Sequence, residues 1–466
     1  MFISEIKIKN YRLFPKDSYF ELKDINVPDG TNKGTGLTVI VGENGCGKSS
    51  LLEALSLALL PYKKDTFSLE DFNSLKEKVS IEVISDAQFD VSKTMPKGTF
   101  KAKGFMFDGR IRSRSNKSYF STLTVNDQLF IKADEASVKD GSPDLRVSVD
   151  NPFSGPRFSE NDIYYLDKNR IFQVRSGTYN TTRFDKLMED LDFQYLHGKS
   201  LEPEDMNSTV GKIVKNEVES SYLEKAIEKF KEMTNEDIKL DIMNNARPFK
   251  NSFFAKNRAK ECSIKLEGLG SGYEMVFAIL YNYFLAQQSG KQLILLIDEP
   301  ELHLHPSLQA KVARLLLEIS KNSQIIIATH SPLFVKQIYE NKNVKTDILL
   351  GENGKVTVSE PEAKKLSYIS ANEINFIAYK LPTEEYHNEL YEELKNEHGS
   401  GLKIKPFDES FFQKIKKESS DFPHNGVANS VSIHTHLRNQ IHHRGECGKA
   451  KTEDIEKSIE VMRSWL

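Results

Sequence analysis

The 466-residue sequence lacks the features that mark several large classes of protein. It has three cysteines, Cys46, Cys262 and Cys447, and no Cys-x-x-Cys pair. That excludes a disulfide framework and a zinc knuckle, and it points to a reducing cytosol. No apolar run approaches the roughly eighteen residues needed to cross a bilayer. The opening alternates Ile6, Lys7, Ile8 and Lys9 where a signal peptide would be continuously apolar. A cytoplasmic chain without a membrane segment is therefore expected. Nor is there an excess of one charge: 64 Lys and Arg face 67 Asp and Glu, a net charge of -3. Any contact with nucleic acid has to be local, at a patch such as the basic stretch Lys93 to Ser118 or at Arg438, because no global basic field exists. Long heptad arrays, internal repeats and low-complexity tracts are also missing. What is present is 38% hydrophobic residues, enough to fill cores, on a chain too long for one domain of ordinary size.

Leu37-Thr38-Val39-Ile40-Val41 is an apolar, β-branched run and predicts a buried strand. Beyond Lys48, the pattern Leu51, Leu52, Ala54, Leu55, Leu57 and Leu60 predicts a helix buried over much of its circumference and ending at Pro61. Strands are predicted at Val79 to Ile84 and Leu123 to Ile131. Lys93 to Ser118, rich in Lys, Arg, Gly and Ser, reads as exposed turns or a mobile lobe. Helical spacing between Tyr222 and Met233 suggests a small helical lobe over Asp185 to Asn245. Ile325 to Ala328 reads as another buried strand. After Glu360, short helices are predicted at Ala371 to Lys380, Thr383 to Glu397, Glu409 to Lys417, Val427 to His443 and Thr452 to Trp465.

Between the first buried strand and its helix lies Gly42-Glu43-Asn44-Gly45-Cys46-Gly47-Lys48-Ser49, which satisfies G-x-x-x-x-G-K-[ST] in the strand–loop–helix setting that the motif requires. The glycines let main-chain N–H groups point inward at phosphate oxygens, and the helix N-terminus adds partial positive charge. Lys48 would neutralise the β and γ phosphates and Ser49 would ligate Mg²⁺. Far downstream, Leu293-Ile294-Leu295-Leu296-Ile297-Asp298-Glu299 reads as a central strand delivering two acids to its C-terminal edge. Asp298 would hold Mg²⁺, and Glu299 would orient or deprotonate the attacking water. Leu269-Gly270-Ser271-Gly272-Tyr273-Glu274 is a glycine-rich turn before an apolar helix. Thr329-His330-Ser331-Pro332 puts one histidine at a strand end, where a γ-phosphate would lie.

In this order the motifs resemble those of the ABC-type ATPases of the SMC, RecF and OLD group: Walker A (Gly42 to Ser49), a signature turn (Leu269 to Glu274), Walker B (Leu293 to Glu299), a D-loop region and a switch histidine, His330. Asp298-Glu299-Pro300-Glu301-Leu302-His303-Leu304-His305-Pro306 is similar to the OLD and defence-associated branch. Lys9-Asn10-Tyr11-Arg12 resembles the group's opening, where a basic residue touches the nucleotide. The resemblance spans about residues 1 to 360 and implies an α/β ABC-type P-loop ATPase head with an inserted variable lobe at about 85–260; the helical patterns after Glu360 add an all-helical C-terminal domain at 361–466. The resemblance implies ATP and Mg²⁺ as cofactors and a nucleotide-binding set of Arg12, Asn44, Gly45, Gly47, Lys48, Ser49, Ser50, Ser271 and Gly272. Glu299 and His330 would be catalytic, and Ser49 and Asp298 would be the metal ligands. It further implies that two copies sandwich two ATP molecules. The sequence departs from the family at Gly270, where a serine is usual and Ser271 could substitute. Gln88 and Gln173 are both candidates for the Q-loop glutamine. No Asp-x-Asp follows His330, so the Toprim nuclease carried by OLD proteins is not expected.

In the C-terminal segment, Ile433, Leu437 and Ile441 form an apolar ridge beside a polar ridge of His434, Arg438 and His442. Arg438-Asn439 with His443 resembles the R-x4-6-H motif of HEPN ribonucleases, in which a histidine exchanges protons and an arginine holds phosphate. His442 sits nearer the face of Arg438, whereas His443 fits the family spacing. The alternative is a histidine-rich helix end that docks on a partner. A histidine metal site using His303, His305, His434, His436, His442 and His443 is not favoured. The expected function is an antiphage-defence ATPase whose ATP-driven homodimer, or a higher assembly of dimers, controls a nuclease effector, its own or a partner's, acting on DNA or RNA. The alternative is a RecF-like DNA-repair clamp without nuclease activity.

Overall fold

Every residue of Leu37–Val41 is buried, as an unbroken apolar run requires of a strand with neighbours on both sides. The structure is a computed structural model and describes residues 1–59, 66–68, 71–74, 77, 79–94, 97–113, 118–125, 128–132, 144–146, 157–158, 161–166, 221–240, 253–256, 263–265, 270–352, 355–424 and 427–466. Leu37–Val41 is an inner strand of a six-stranded sheet, whose order is Asn161–Leu166, Gln292–Asp298, Gln324–Thr329, Leu37–Val41, Lys345–Glu352 and Lys355–Ser359. All pairs are parallel except the last.

The helix after the glycine loop, Lys48–Leu59, buries Leu51, Leu52, Ala54, Leu55 and Ala58 completely. It is apolar around most of its circumference because it packs between the parallel sheet and a second, antiparallel one. The antiparallel sheet runs Phe20–Leu22, Ile3–Lys9, Val79–Thr94, Lys97–Ser113, Ser118–Val125 and Gln128–Lys132, with Arg157–Phe158 against Val79–Thr94. Much of Lys93 to Ser118, expected to be turns, is therefore strand, laddered from Val79↔Gly109 to Thr94↔Lys97. Composition misled here because main-chain partners on both sides satisfy the backbone whatever the side chains are.

Of the lobe expected over Asp185 to Asn245, residues 185–220 and 241–245 lie outside the described residues. Within the rest, helix Ser221–Thr234 buries Ala226, Phe230 and Met233, with Phe230 edge-on to Phe277 of helix Ser271–Ser289.

The chain divides into two units, residues 1–330 with 337–359, and residues 331–336 with 360–466. The second is built mainly from helices Ala371–Tyr379, Glu384–His398, Ile433–His442 and Thr452–Trp465, around Tyr386, Leu390, Tyr391, Phe407, Phe412, Leu437 and Ile459. Thr383 caps one helix by accepting from the Tyr386 N–H at 3.1 Å, and Ser432 caps another by accepting from Thr435 at 3.1 Å. Two expectations change. The helix foreseen over Glu409 to Lys417 is a short helix Ile404–Phe407 running into a wider turn, Asp408–Gln413. The helix foreseen over Val427 to His443 begins only at Ile433, because Val427–Val431 pairs with Ser420–His424 as a hairpin. The unit is thus helical with one hairpin, not wholly helical. The buried Asp408 carboxylate explains the break, since it accepts from the Ser432 N–H and hydroxyl and from the Thr435 hydroxyl, and so ends the strand and starts the helix. Among the described residues no helix is long and apolar enough to cross a membrane.

Candidate functional site

Strand register gathers the motifs. Asp298 pairs with Ala328 and Thr329 pairs with Val41, so the chain leaves the parallel sheet on one edge at Gly42, Glu299 and His330. Neighbouring strands lie about 5 Å apart, so these exits fall within about 10 Å.

At the first exit, Gly42 has φ 152°, and a Cβ there would meet the Leu349 carbonyl oxygen at 2.4 Å. Only glycine fits. Asn44 and Gly45 form the exposed loop tip, Ser49 is half-buried, and Gly47 and Ser50 are buried. Lys48 is 6% exposed, and its ammonium donates to the carbonyls of Gly42 and Glu43, both at 2.7 Å. The cation thus sits inside the curl of the loop, with main-chain oxygens around it.

At the second exit, Asp298 is buried at the strand end, and Glu299 turns out of the sheet with φ 50°. Its N–H donates to the Ala328 carbonyl at 2.8 Å, which carries the ladder one residue further. At the third, the His330 Nδ1 lies 3.6 Å from Glu299 Oε1 and 3.5 Å from Glu301 Oε1. Glu301 is buried and accepts from the Thr329 hydroxyl at 2.7 Å and from the His330 N–H at 3.3 Å. Burial raises its pKa, while these donors oppose the rise. Glu301 was visible in the sequence only as part of a family string. Its lie beneath Thr329 depends on a pairing of distant strands.

The glycine-rich turn opens helix Ser271–Ser289, with Gly270 at φ 115°. A Cβ on Gly272 would meet Leu304 Cδ2 at 2.7 Å and the His303 carbonyl oxygen at 2.8 Å, so the helix start abuts the turn that follows Glu299. Arg12, also at positive φ, ion-pairs with Glu53 on helix Lys48–Leu59 and with Asp71 at 3.0 Å. Of the Q-loop candidates, Gln88 lies in strand Val79–Thr94 and Gln173 lies outside the described residues. His305 caps helix Pro306–Ile319, accepting from the Ser307 N–H. Among the described residues no group of three or more His, Cys, Asp or Glu could hold a metal ion.

In the second unit, Arg438 lies over the Tyr391 ring with its centre 5.9 Å away, and its Nε is buried without a hydrogen-bond partner. His442 and His443 are exposed, their rings 6.5 Å apart, and burial together with Arg438 lowers the His442 pKa. His434 does not share that polar face. It is 1% exposed, with Nδ1 2.6 Å from the Ser458 hydroxyl and Nε2 2.7 Å from Glu418. His387, fully buried, approaches the same hydroxyl through Nε2 at 2.9 Å. Its place on the stripe Tyr386, His387, Leu390, Tyr391 and Leu394 was the available sequence signal.

A largely parallel sheet with a phosphate-loop sequence between an inner strand and its helix, and with acids and a histidine at the adjoining strand ends, defines a P-loop ATPase head of the ABC type. Residues 37–336 match the family described as "AAA domain, putative AbiEii toxin, Type IV TA system", and the chain belongs to it. It is similar to the "Retron Vc95 probable ATPase" of Vibrio cholerae, at 23% identity over 72% of each chain. It is similar also to the OLD nuclease of Thermus scotoductus, at 25% identity over 71% of this chain and 59% of that one. The endonuclease GajA of Bacillus cereus is 24% identical over 71% of this chain and 58% of that one. The chain thus spans less than two thirds of the two nucleases. Among solved structures, an Smc head bound to the winged-helix domain of ScpA has 15% identity and a TM-score of 0.44, covering 78% of this chain and 98% of that one.

Proposed function

We propose that this chain binds and hydrolyses ATP at the exposed edge of its parallel sheet, and that it does so in antiphage defence. The observation that carries the reading is the register that brings Gly42, Glu299 and His330 to one edge. In this reading the Gly42 to Ser49 loop wraps the phosphates and the Lys48 ammonium exchanges its carbonyl partners for phosphate oxygens. Glu299 orients the attacking water, and His330 meets the γ-phosphate. Arg12, Asn44, Gly45, Gly47 and Ser50 complete the cradle. The Ser49 hydroxyl and the Asp298 carboxylate are hard oxygen donors of the kind Mg²⁺ takes together with phosphate, so the residues present fit that ion. When bound, Mg²⁺ would neutralise charge on the phosphates.

Two copies would close over ATP, with Ser271 and Gly272 of one completing the site of the other, and this closure would control a nuclease effector. The names of the relatives, a retron ATPase and two nucleases, support pairing such an ATPase with an effector. Either the helical unit with Arg438 and His442 or His443 cuts RNA, or a partner protein supplies the nuclease. Lys48→Ala tests the site directly. It should abolish ATP binding in a fluorescent-nucleotide titration, and retained affinity would refute the assignment.

A further inference from the structure

We propose that Glu301 is a positioning residue that sets where the His330 imidazole stands at the sheet edge. The proposal rests on the reading of that edge as an ATP site and deepens it. After strand Gln292–Asp298, the chain folds back tightly. The Leu302 N–H donates to the Glu299 carbonyl at 3.0 Å, and the Leu304 N–H to the Glu301 carbonyl at 3.1 Å. This turn puts the Glu301 side chain under the end of strand Gln324–Thr329, where it is 7% exposed. One carboxylate oxygen does three things there. It accepts from the Thr329 hydroxyl at 2.7 Å and from the His330 N–H at 3.3 Å, and it faces His330 Nδ1 at 3.5 Å. The other oxygen is buried with no hydrogen-bond partner.

A buried carboxyl oxygen left without a partner is costly. A neutral side chain would cap the Thr329 and His330 donors as well, without burying a charge. What the acid adds is attraction for the proton-bearing side of the imidazole. Glu299 shares that side at 3.6 Å, so His330 Nδ1 is held between two carboxylates. The tautomer of a histidine follows the partner of one ring nitrogen. On this reading the proton stays on Nδ1, which leaves Nε2 as the acceptor nitrogen of a ring that is 42% exposed. The same turn also touches the start of helix Ser271–Ser289 through Gly272, so Glu301 stands where three of the motifs meet.

The test uses the full chain and the isosteric Glu301→Gln, with a thermal melt confirming that it folds. In protein labelled with ¹⁵N-histidine, the His330 resonances, identified by their loss in His330→Gln, should report the Nδ1–H tautomer in the wild type and a mixture in Glu301→Gln. An unchanged tautomer would overturn the proposal, and this readout stands whether or not the chain turns over ATP. In turnover assays Glu301→Gln should lower kcat about tenfold or more while leaving fluorescent-ATP affinity within about threefold. Glu301→Gln combined with His330→Ala should be no slower than His330→Ala alone. Losses that multiply in the double variant, or a full kcat in Glu301→Gln, would refute it.

Discussion

Acidification from pH 7 to pH 4.5 should destabilise the C-terminal unit by about 2.5 kcal/mol through His387 alone. Burial, reinforced by the neighbouring His434, pushes the His387 pKa from its ordinary 6.5 down to about 3. The unfolded chain therefore takes up a proton near pH 6.5 that the folded unit accepts only near pH 3. The sign is that of a base with a depressed folded pKa. Stability is fully present above 6.5 and is lost progressively as the pH falls toward 3. His434, also lowered by burial but held partly up by Glu418, adds to the loss in the same direction. The assay is built into the chain. Trp465 is its single tryptophan and packs against Phe412 at 5.8 Å and His434 at 5.1 Å, so tryptophan fluorescence reports this unit. At a urea slope of about 1 kcal/mol per molar, the midpoint should fall by roughly 2.5 M between the two pH values. His387→Gln should lose most of that difference, whatever its stability at pH 7. An equal midpoint shift in wild type and variant would refute the assignment of the acid sensitivity to His387.

Glu299→Gln should retain nucleotide and accumulate an ATP-bound dimer, because binding survives while water activation fails; unchanged turnover would exclude Glu299 from that role. Gly272→Ala should cost about 1–3 kcal/mol or displace the turn carrying His303 and Leu304, since its methyl would sit 2.8 Å from a main-chain oxygen. A thermal melt and an ATPase assay with wild-type values in this variant would show that the contact is not needed. Arg438→Ala should abolish RNA cleavage if the helical unit is itself a nuclease. Cleavage at the wild-type rate would leave that unit a docking role.

The parts legible in the sequence were those whose geometry is local. A glycine loop before a lysine, an apolar run ending in Asp298 and Glu299, and a β-branched run ending at Thr329 each carry their own strand or helix signal within a few residues. Helices starting at Ala371, Glu384 and Thr452 were legible for the same reason, through period and cap. Pairing between distant segments was not. Lys97–Ser113 is a strand because Val79–Thr94 and Ser118–Val125 flank it, and Val427–Val431 because it meets Ser420–His424. Side-chain burial decided by tertiary contact was equally hidden. His434 reads as solvated by helical spacing yet lies inward on Ser458, and Glu301 becomes notable only once Thr329 is above it.

The helix that begins at Lys48 has sheet on two sides and little solvent face of its own, and near its middle Glu53 is tied to Arg12. An element held this way behaves like a dowel seated in two boards. It cannot slide or roll to suit what arrives at its tip without disturbing both layers. Adjustment at that tip therefore falls to parts outside the helix body: the long Lys48 side chain, which has two carbonyl partners to exchange, and the exposed loop crown at Asn44 and Gly45. Discrimination among nucleotides would accordingly be set by a rigid socket with a few movable fittings, and substitutions deep in the dowel, at Leu51 or Leu55, should alter nucleotide affinity without touching any atom of the ligand.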